Sequence, residues 1–372
     1  MQRGEPAIYD KYTRTRMALD AGADLVLEIP SCFAVGSAED FASCASSLLS
    51  RLGVIDHLCF GSECGDLEVL MQIAEILAFE TEDYKKILKQ ALTNGKTFPE
   101  AQTEALTAIL SQDFKALLAS PNNLLGIEYC KALLRLNSPI QPLTITRHGF
   151  GYHDTEICSD GSSFASASAI RKALSETDVS SIQKQIPWKF DSAALCPVFA
   201  DDLSELLNYR LLDLYHTHTE LTDFSDVSKE LADRLNHQLW DFQSFTERIQ
   251  ALKTRQYTYT RISRALLHIL LGIKTSDMQM FRSQGYAEYA RVLGFRKNAV
   301  PLMSSIKSNG TIPLISKVSN AQTILDGNPA AQQAFRYDLH AAHIYQMLQQ
   351  QKSGTLPKNE FTQPITILDS DH

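Results

Sequence analysis

The stretch "SFASASAIRKAL", Ser163 to Leu174, carries the densest chemical signal in the chain. Ser166 and Ser168 stand at the entrance of a helical pattern, where unpartnered N–H groups and the positive end of the dipole favour phosphate. Arg171 follows within one turn, and a guanidinium there can take charge developing on a leaving pyrophosphate. The plainer alternative is a serine cap beside a surface arginine. Three further stretches carry residues suited to a nucleotide. In "FGSE", Phe60 to Glu63, Gly61 follows an apolar run and lets a base or ribose lie against the backbone, unless it is only a turn glycine. In "SPNNLLG", Asn122 or Asn123 can cap the helix that follows or read an adenine edge, since one amide both donates and accepts. In "TRHG", Arg147 can clamp phosphate through its planar fork of donors, or form a surface salt bridge. His148 and His153 titrate near neutrality, but neither has a carboxylate spaced to make it a general base.

A second kind of chemistry is written in "LKTRQYTYTRISRALLHILLG", Leu252 to Gly272. Lys253, Arg255, Arg261 and Arg264 interleave with Tyr257 and Tyr259, a mixture that lets cations meet phosphates while aromatic faces stack on unpaired bases. Arg291, Arg296 and Lys297 in "ARVLGFRKNA" extend the same expectation. A solvated helix entrance with half-buried tyrosines is the alternative.

These residues need elements to hold them. From Tyr12 to about Lys172 helical and strand-like segments alternate, the pattern of an open, largely parallel α/β sheet. A helix over Tyr12–Ala21 leads through Gly22 to a strand at Ala23–Ile29; a helix over Ala38–Leu52 precedes the apolar run "HLCF". Helices are expected at about Leu67–Leu77, Glu82–Asn94, Pro99–Leu110 and Gly126–Leu136, and a strand at Pro142–Arg147. Ligands of such sheets sit beyond the carboxyl ends of the strands, which makes Gly61–Glu63 and Arg147–His148 expected neighbours. Gly149 to Ala165 reads as a surface loop. Beyond Ile186–Pro187 long helical patterns dominate, with one late strand in "NGTIPLIS", so a domain boundary is expected near residue 185, with an α/β domain over 1–185 and a mainly helical domain over 186–372.

Composition sets the outer limits. The 372 residues are 44% hydrophobic and 21% charged, as in soluble globular chains. The sequence shows neither an apolar run of membrane-spanning length nor a signal-peptide pattern at its start, so a cytoplasmic location is expected. Seven cysteines without a CxxC pair suggest neither a disulfide framework nor a zinc site, and no metal ligand set is assigned. A net charge of −8 argues against a chain coated for nucleic acid but leaves room for a local basic patch.

Taken in order, "QRGEPAIYDKYTRTRMALDAGADLVLEIP", "FGSE", "SPNNLLGIEYCKAL", "SASAIRKAL" and "YTYTRISRALLHILL" resemble the bacterial tRNA(Met) cytidine acetate ligase family, relatives of the HIGH-motif nucleotidyltransferases. The likeness extends over nearly the whole chain. It implies a nucleotidyltransferase-like (Rossmann-like) α/β domain followed by a mainly helical one. The implied enzyme activates acetate with ATP, giving acetyl-adenylate and pyrophosphate, and acetylates the wobble cytidine of elongator tRNA(Met). Nucleotide contacts implied by motif are Gly61, Asn122 and Arg147; Ser166, Ser168 and Arg171 correspond to the serine-rich second signature of the superfamily. ATP is the implied nucleotide, with magnesium as its companion; tRNA would lie on the helical part.

The departure is at the front. Members of the family carry a first strand and an "NPFHNGH"-type stretch, whose histidines bind the ATP phosphates, ahead of "QRGEPA". No HxGH occurs in these residues, and His216 and His218 in "LYHTHTE" are read as surface side chains. Two accounts are open: Met1 is internal to a longer reading frame, or a shortened form has lost ATP chemistry and only binds tRNA. A sheet deprived of its first strand leaves unpaired backbone groups, so reduced stability is expected. A nucleotidyltransferase acting on a small metabolite is the third possibility.

Overall fold

The structure is a computed structural model that describes residues 1, 4–147, 165–176, 182 and 196–369. His148, His153, most of the turn-rich stretch after Arg147 and the expected boundary near residue 185 lie outside the described residues. Contacts divide the chain into two compact units: residues 38–170 form one, and residues 1–37 join 171–372 in the other.

The first element of the chain is helix α1 (Lys11–Asp20), whose start is capped by Asp10 accepting from the N–H groups of Tyr12 and Thr13. Strand β1 (Leu25–Glu28) and the short α2 (Ser31–Ala34) follow.

Within residues 38–170 the order is α3 (Ala38–Leu52), β2 (His57–Ser62), α4 (Leu67–Phe79), α5 (Glu82–Thr93), α6 (Phe98–Leu110), α7 (Lys115–Leu118), α8 (Pro121–Arg135) and β3 (Gln141–Thr146). Local chemistry sets the boundaries. Asp66 caps α4 at Val69 N, Thr81 caps α5, and Thr97 with Glu100 forms a capping box on α6. Strands β2 and β3 are parallel, with Gly61 opposite Ile145 and Ser62 opposite Thr146. Parallel neighbours need a long crossover, which α4 to α8 supply. Helices α4, α5, α6 and α8 bury Leu70, Ile73, Tyr84, Leu106 and Ile127 in one apolar cluster, joined by Phe114 just before α7. Phe60 of β2 packs against its edge.

Helix α9 (Ala167–Ser175) crosses the boundary between the units. Helices α10 (Ser204–His216), α11 (Lys229–His237), α12 (Phe245–Leu252), α13 (Tyr259–Leu271) and α14 (Thr275–Ser283) then lead to β4 (Ala290–Arg296). After it come α15 (Val300–Asn309), β5 (Leu314–Ile315), α16 (Ala321–Ile324), α17 (Pro329–Ser353) and β6 (Thr366–Leu368).

The sheet differs from the expected arrangement in its pairing and in the strands β4 and β6, which lie in the part expected to hold a single late strand. Rather than extending the parallel pair, β1 runs antiparallel to β4, with Leu25 opposite Phe295 and Glu28 opposite Arg291. Strand β4 is in turn parallel to β5 and β6, so the α/β fold carries a small mixed sheet. This also corrects the expectation for "ARVLGFRKNA". Arg291 is only 2% exposed and pairs with Glu28 at 3.0 Å and Glu360 at 2.6 Å, both carboxylates also meeting Lys11 Nζ at 2.9 Å. Arg296 donates to the Leu19 carbonyl at the end of α1, and Lys297 pairs with Asp369. Val292 to Phe295 between them are a buried strand; Arg291 is neutralised inside the fold and Arg296 is tied to α1, while Lys297 stays at the surface in an exposed pair.

Candidate functional site

At the carboxyl ends of β2 and β3 the chain brings three of the expected nucleotide residues together. A Cβ on Gly61 would stand 3.2 Å from Cγ of Arg147, so the arginine stem lies over the glycine and uses the space that glycine leaves open. Arg147 anchors its backbone by donating to Ser62 O at 2.9 Å, while its side chain is exposed. The loop beyond β2 is held from within: Ser62 Oγ shares a hydrogen bond with Thr144 Oγ1 at 2.7 Å and accepts from Gly65 N at 3.0 Å. Gly65 has φ +63°, and a Cβ there would meet Thr146 Oγ1 at 1.9 Å, so only glycine fits this turn.

Glu63 links that loop to Asn122. Its Oε1 accepts from Asn122 Nδ2 at 2.7 Å and from Asn122 N at 3.3 Å, and its Oε2 accepts from Asn123 N at 2.8 Å. The carboxylate therefore satisfies the first free N–H groups of α8 from outside the helix, a task expected of an asparagine. Burial alone would raise the Glu63 pKa. The hydrogen bonds from the Asn122 amide and from backbone N–H groups outweigh it and hold the carboxyl below its usual range. Asn123 is 2% exposed and braces the fold: its Oδ1 accepts from Cys64 N at 3.0 Å and its Nδ2 donates to Leu117 O at 3.2 Å. Of the two asparagines, Asn122 is the one whose side chain is partly open to solvent. Glu63, the acid that ends "FGSE", is the residue of this cluster to which the sequence alone assigns no task, because its partners lie about sixty residues away in the chain.

On α9, Ser166 is buried and its Oγ accepts from Ala169 N at 3.0 Å, which makes it the helix cap. Ser168 and Arg171 are partly exposed.

The basic and aromatic stretch fares unevenly. Tyr257 is 5% exposed and its hydroxyl meets Ser228 Oγ at 2.5 Å, so its face is not available to an unpaired base; burial overrides the stacking expectation. Arg261 lies over that same ring, 4.7 Å from its centroid. Tyr259 is half-buried and donates to Glu5 Oε1, while Ser263 donates to Gly4 O at 2.5 Å, which seats the first residues of the chain on α13. Burial, with Glu5 beside it, pushes the Tyr259 hydroxyl up to about 12. Arg264 pairs with Asp226 at 3.0 Å, an internal ion pair rather than a free cation. Lys253 and Arg255 are exposed at the turn before α13.

His216 and His218 are exposed at the end of α10, as expected. An HxxH spacing does occur, His340 to His343, on α17 and far from the front of the chain. Burial and the nearby Arg210 and His343 lower the His340 pKa, which favours a neutral ring over a phosphate-binding cation. Among the described residues no group of three or more His, Cys, Asp or Glu is placed to hold a metal ion, and no helix is long and apolar enough to cross a membrane.

A family model described as HIGH Nucleotidyl Transferase matches residues 1–359. The chain belongs to the HIGH nucleotidyl transferase family. Within that family it is 37% identical to a tRNA(Met) cytidine acetate ligase of Acetivibrio thermocellus, over 99% of this chain and 90% of the relative. A protein of the same name from Clostridium perfringens is 36% identical over 94% of this chain and 85% of its own. Among solved structures, apo Thermotoga maritima TmcAL superposes with a TM-score of 0.89 at 27% identity, covering 99% of this chain and 90% of that one. A form of the same protein bound with alpha-thio ATP gives 0.86 at 26%. The resemblance read from five ordered motifs is therefore borne out in family and in fold.

Proposed function

We propose that this HIGH nucleotidyl transferase is an ATP-dependent tRNA(Met) cytidine acetate ligase. In the first step an acetate oxygen attacks the α-phosphorus of ATP, giving acetyl-adenylate and releasing pyrophosphate. In the second the exocyclic amine of the wobble cytidine of elongator tRNA(Met) attacks the acetyl carbon, forming the amide and releasing AMP. The observation that carries the reading is the strand-end cluster of Gly61, Asn122 and Arg147, in a chain similar throughout to a protein solved with an ATP analogue.

Each residue has a task that follows from its chemistry. Gly61 admits the nucleoside against the backbone, Asn122 reads the base edge, and Arg147 balances phosphate charge. Ser168 and Arg171 at the entrance of α9 take the departing pyrophosphate, while Ser166 keeps that entrance in shape. Magnesium would be held by the phosphates of the nucleotide itself and would offset their charge, since among the described residues no group of three or more His, Cys, Asp or Glu is placed to hold it. Lys253, Arg255 and Arg261 meet the tRNA backbone; Tyr257, Tyr259 and Arg264 hold the surface on which they stand.

Incubating the chain with ATP, labelled acetate and unmodified elongator tRNA(Met) tests this. Acetylated cytidine in the tRNA is the expected product. Retention of tRNA without acetylation would instead mark a binding protein, and nucleotide transfer indifferent to added tRNA would mark an enzyme of small metabolites.

A further inference from the structure

Asn122 can serve as an adenine reader only if its amide has a fixed sense. Adenine presents an N6–H donor beside a ring nitrogen acceptor, whereas guanine presents an O6 acceptor beside an N1–H donor. An amide rotated by half a turn about its terminal torsion exchanges oxygen for nitrogen and would suit guanine as well as it had suited adenine. Something must forbid that rotation if the site is to choose between them.

Glu63 is placed to do so. Its Oε1 receives both the backbone N–H and the Nδ2 of Asn122, at 3.3 and 2.7 Å, so the side-chain hydrogen it takes is the one turned back toward the residue's own backbone. The other Nδ2 hydrogen and Oδ1 then lie side by side on the outward edge of the amide, and among the described residues no hydrogen bond to Oδ1 is recorded. Turning the amide over would set Oδ1 against a carboxylate, an acceptor against an acceptor. The carboxylate cannot relieve this by rotating, because Oε2 is held by Asn123 N at 2.8 Å and the whole loop is pinned through Cys64 N to Asn123 Oδ1 at 3.0 Å.

We propose that Glu63 is a positioning residue that locks the Asn122 amide in the adenine-reading sense and so gives the site its preference for ATP over GTP. The proposal rests on the ATP-dependent reading above and names what selects the base within it. Glutamine at position 63 would keep the size and the possibility of one hydrogen bond, but its amide can present either oxygen or nitrogen and would tolerate Asn122 in both senses.

The test is binding of ATP and of GTP to the full chain, measured calorimetrically for the wild type, Glu63→Gln, Asn122→Ala and the double variant, with thermal unfolding recorded for each. The expected result is a fall of about tenfold in the ATP-over-GTP affinity ratio for Glu63→Gln, and no further fall when the same change is made in the Asn122→Ala background. A merely structural role would weaken both nucleotides together and leave the ratio unchanged. An unchanged ratio in a folded Glu63→Gln, or an equal fall with and without Asn122, overturns the proposal while leaving ATP dependence standing. A wild-type chain that binds neither nucleotide overturns both.

Discussion

Replacing Gly126 by alanine sets two effects of known sign against each other. Gly126 lies inside α8, where alanine is favoured over glycine by about 1 kcal/mol because glycine gives up more backbone freedom. A Cβ at this position, however, would stand 2.5 Å from Cε2 of Phe60, 3.1 Å from Cδ2 and 3.3 Å from Cζ. Carbon atoms pack best at about 3.5–4.0 Å, so the ring must withdraw by roughly 1 Å. Beside it stands Tyr129, also on α8, with ring centroids 5.7 Å apart, and overpacking costs about 1–3 kcal/mol, toward the lower end here because Phe60 is only partly buried. The clash should win by at most about 1 kcal/mol. Urea unfolding should show a lower midpoint at unchanged slope. Because Phe60 directly precedes Gly61, ATP affinity should also fall, and Phe60→Leu in the same chain should recover part of both losses. A Gly126→Ala variant more stable than the wild type would refute the reasoning, since it would mean that propensity outweighs the contact.

Gly65→Ala should be worse, because the left-handed φ of +63° alone costs about 1–2 kcal/mol and the Thr146 hydroxyl occupies the position of the new methyl; a loss below that range in chemical unfolding would sink the claim that the turn admits only glycine. Tyr257→Phe removes the hydroxyl contact with Ser228 and should cost about 0.5–1.5 kcal/mol of stability while leaving tRNA affinity unchanged, whereas Lys253→Ala and Arg255→Ala should weaken tRNA binding and reduce its salt dependence; a filter-binding series in salt separates the two. Glu63 has a folded pKa held below its unfolded value, so the stability it contributes is present above the ordinary glutamate value of about 4.3 and is lost as pH falls through the lowered one. Acid titration of unfolding should therefore be shallower for Glu63→Gln, and an identical acid limb would show that the carboxylate is not held as described.

What could be read from the sequence followed from how local each signal is. Helix α3 begins and ends where its pattern places it, because acids in its first turn and Arg51 in its last leave little freedom in its limits. Helix α8 starts at Pro121, a turn earlier than its apolar pattern suggests, because the group that caps it is the distant Glu63, and no window around "SPNN" contains that carboxylate. The same separation explains β4. "RVLGF" has the composition of a strand, but its partner β1 lies far away in sequence, and the cations on either side have the composition of a surface although Glu28 and Glu360 neutralise Arg291.

Residue type alone misled at Tyr257 for a related reason. Interleaved tyrosines and arginines satisfy the composition of an RNA surface and of a helix start that stacks its own cation on its own ring, and only burial tells the two apart. Gly61 and Arg147 behaved differently because an α/β strand end is a place defined by topology: residues at the carboxyl ends of parallel strands are carried to the same edge, whatever separates the strands in the chain. The neighbourhood of Gly61 and Arg147 was therefore legible as a location before any side chain was placed. The place of Asn122 beside them was not, since that depends on a hydrogen bond between Glu63 and Asn122 that only the folded chain brings within 2.7 Å.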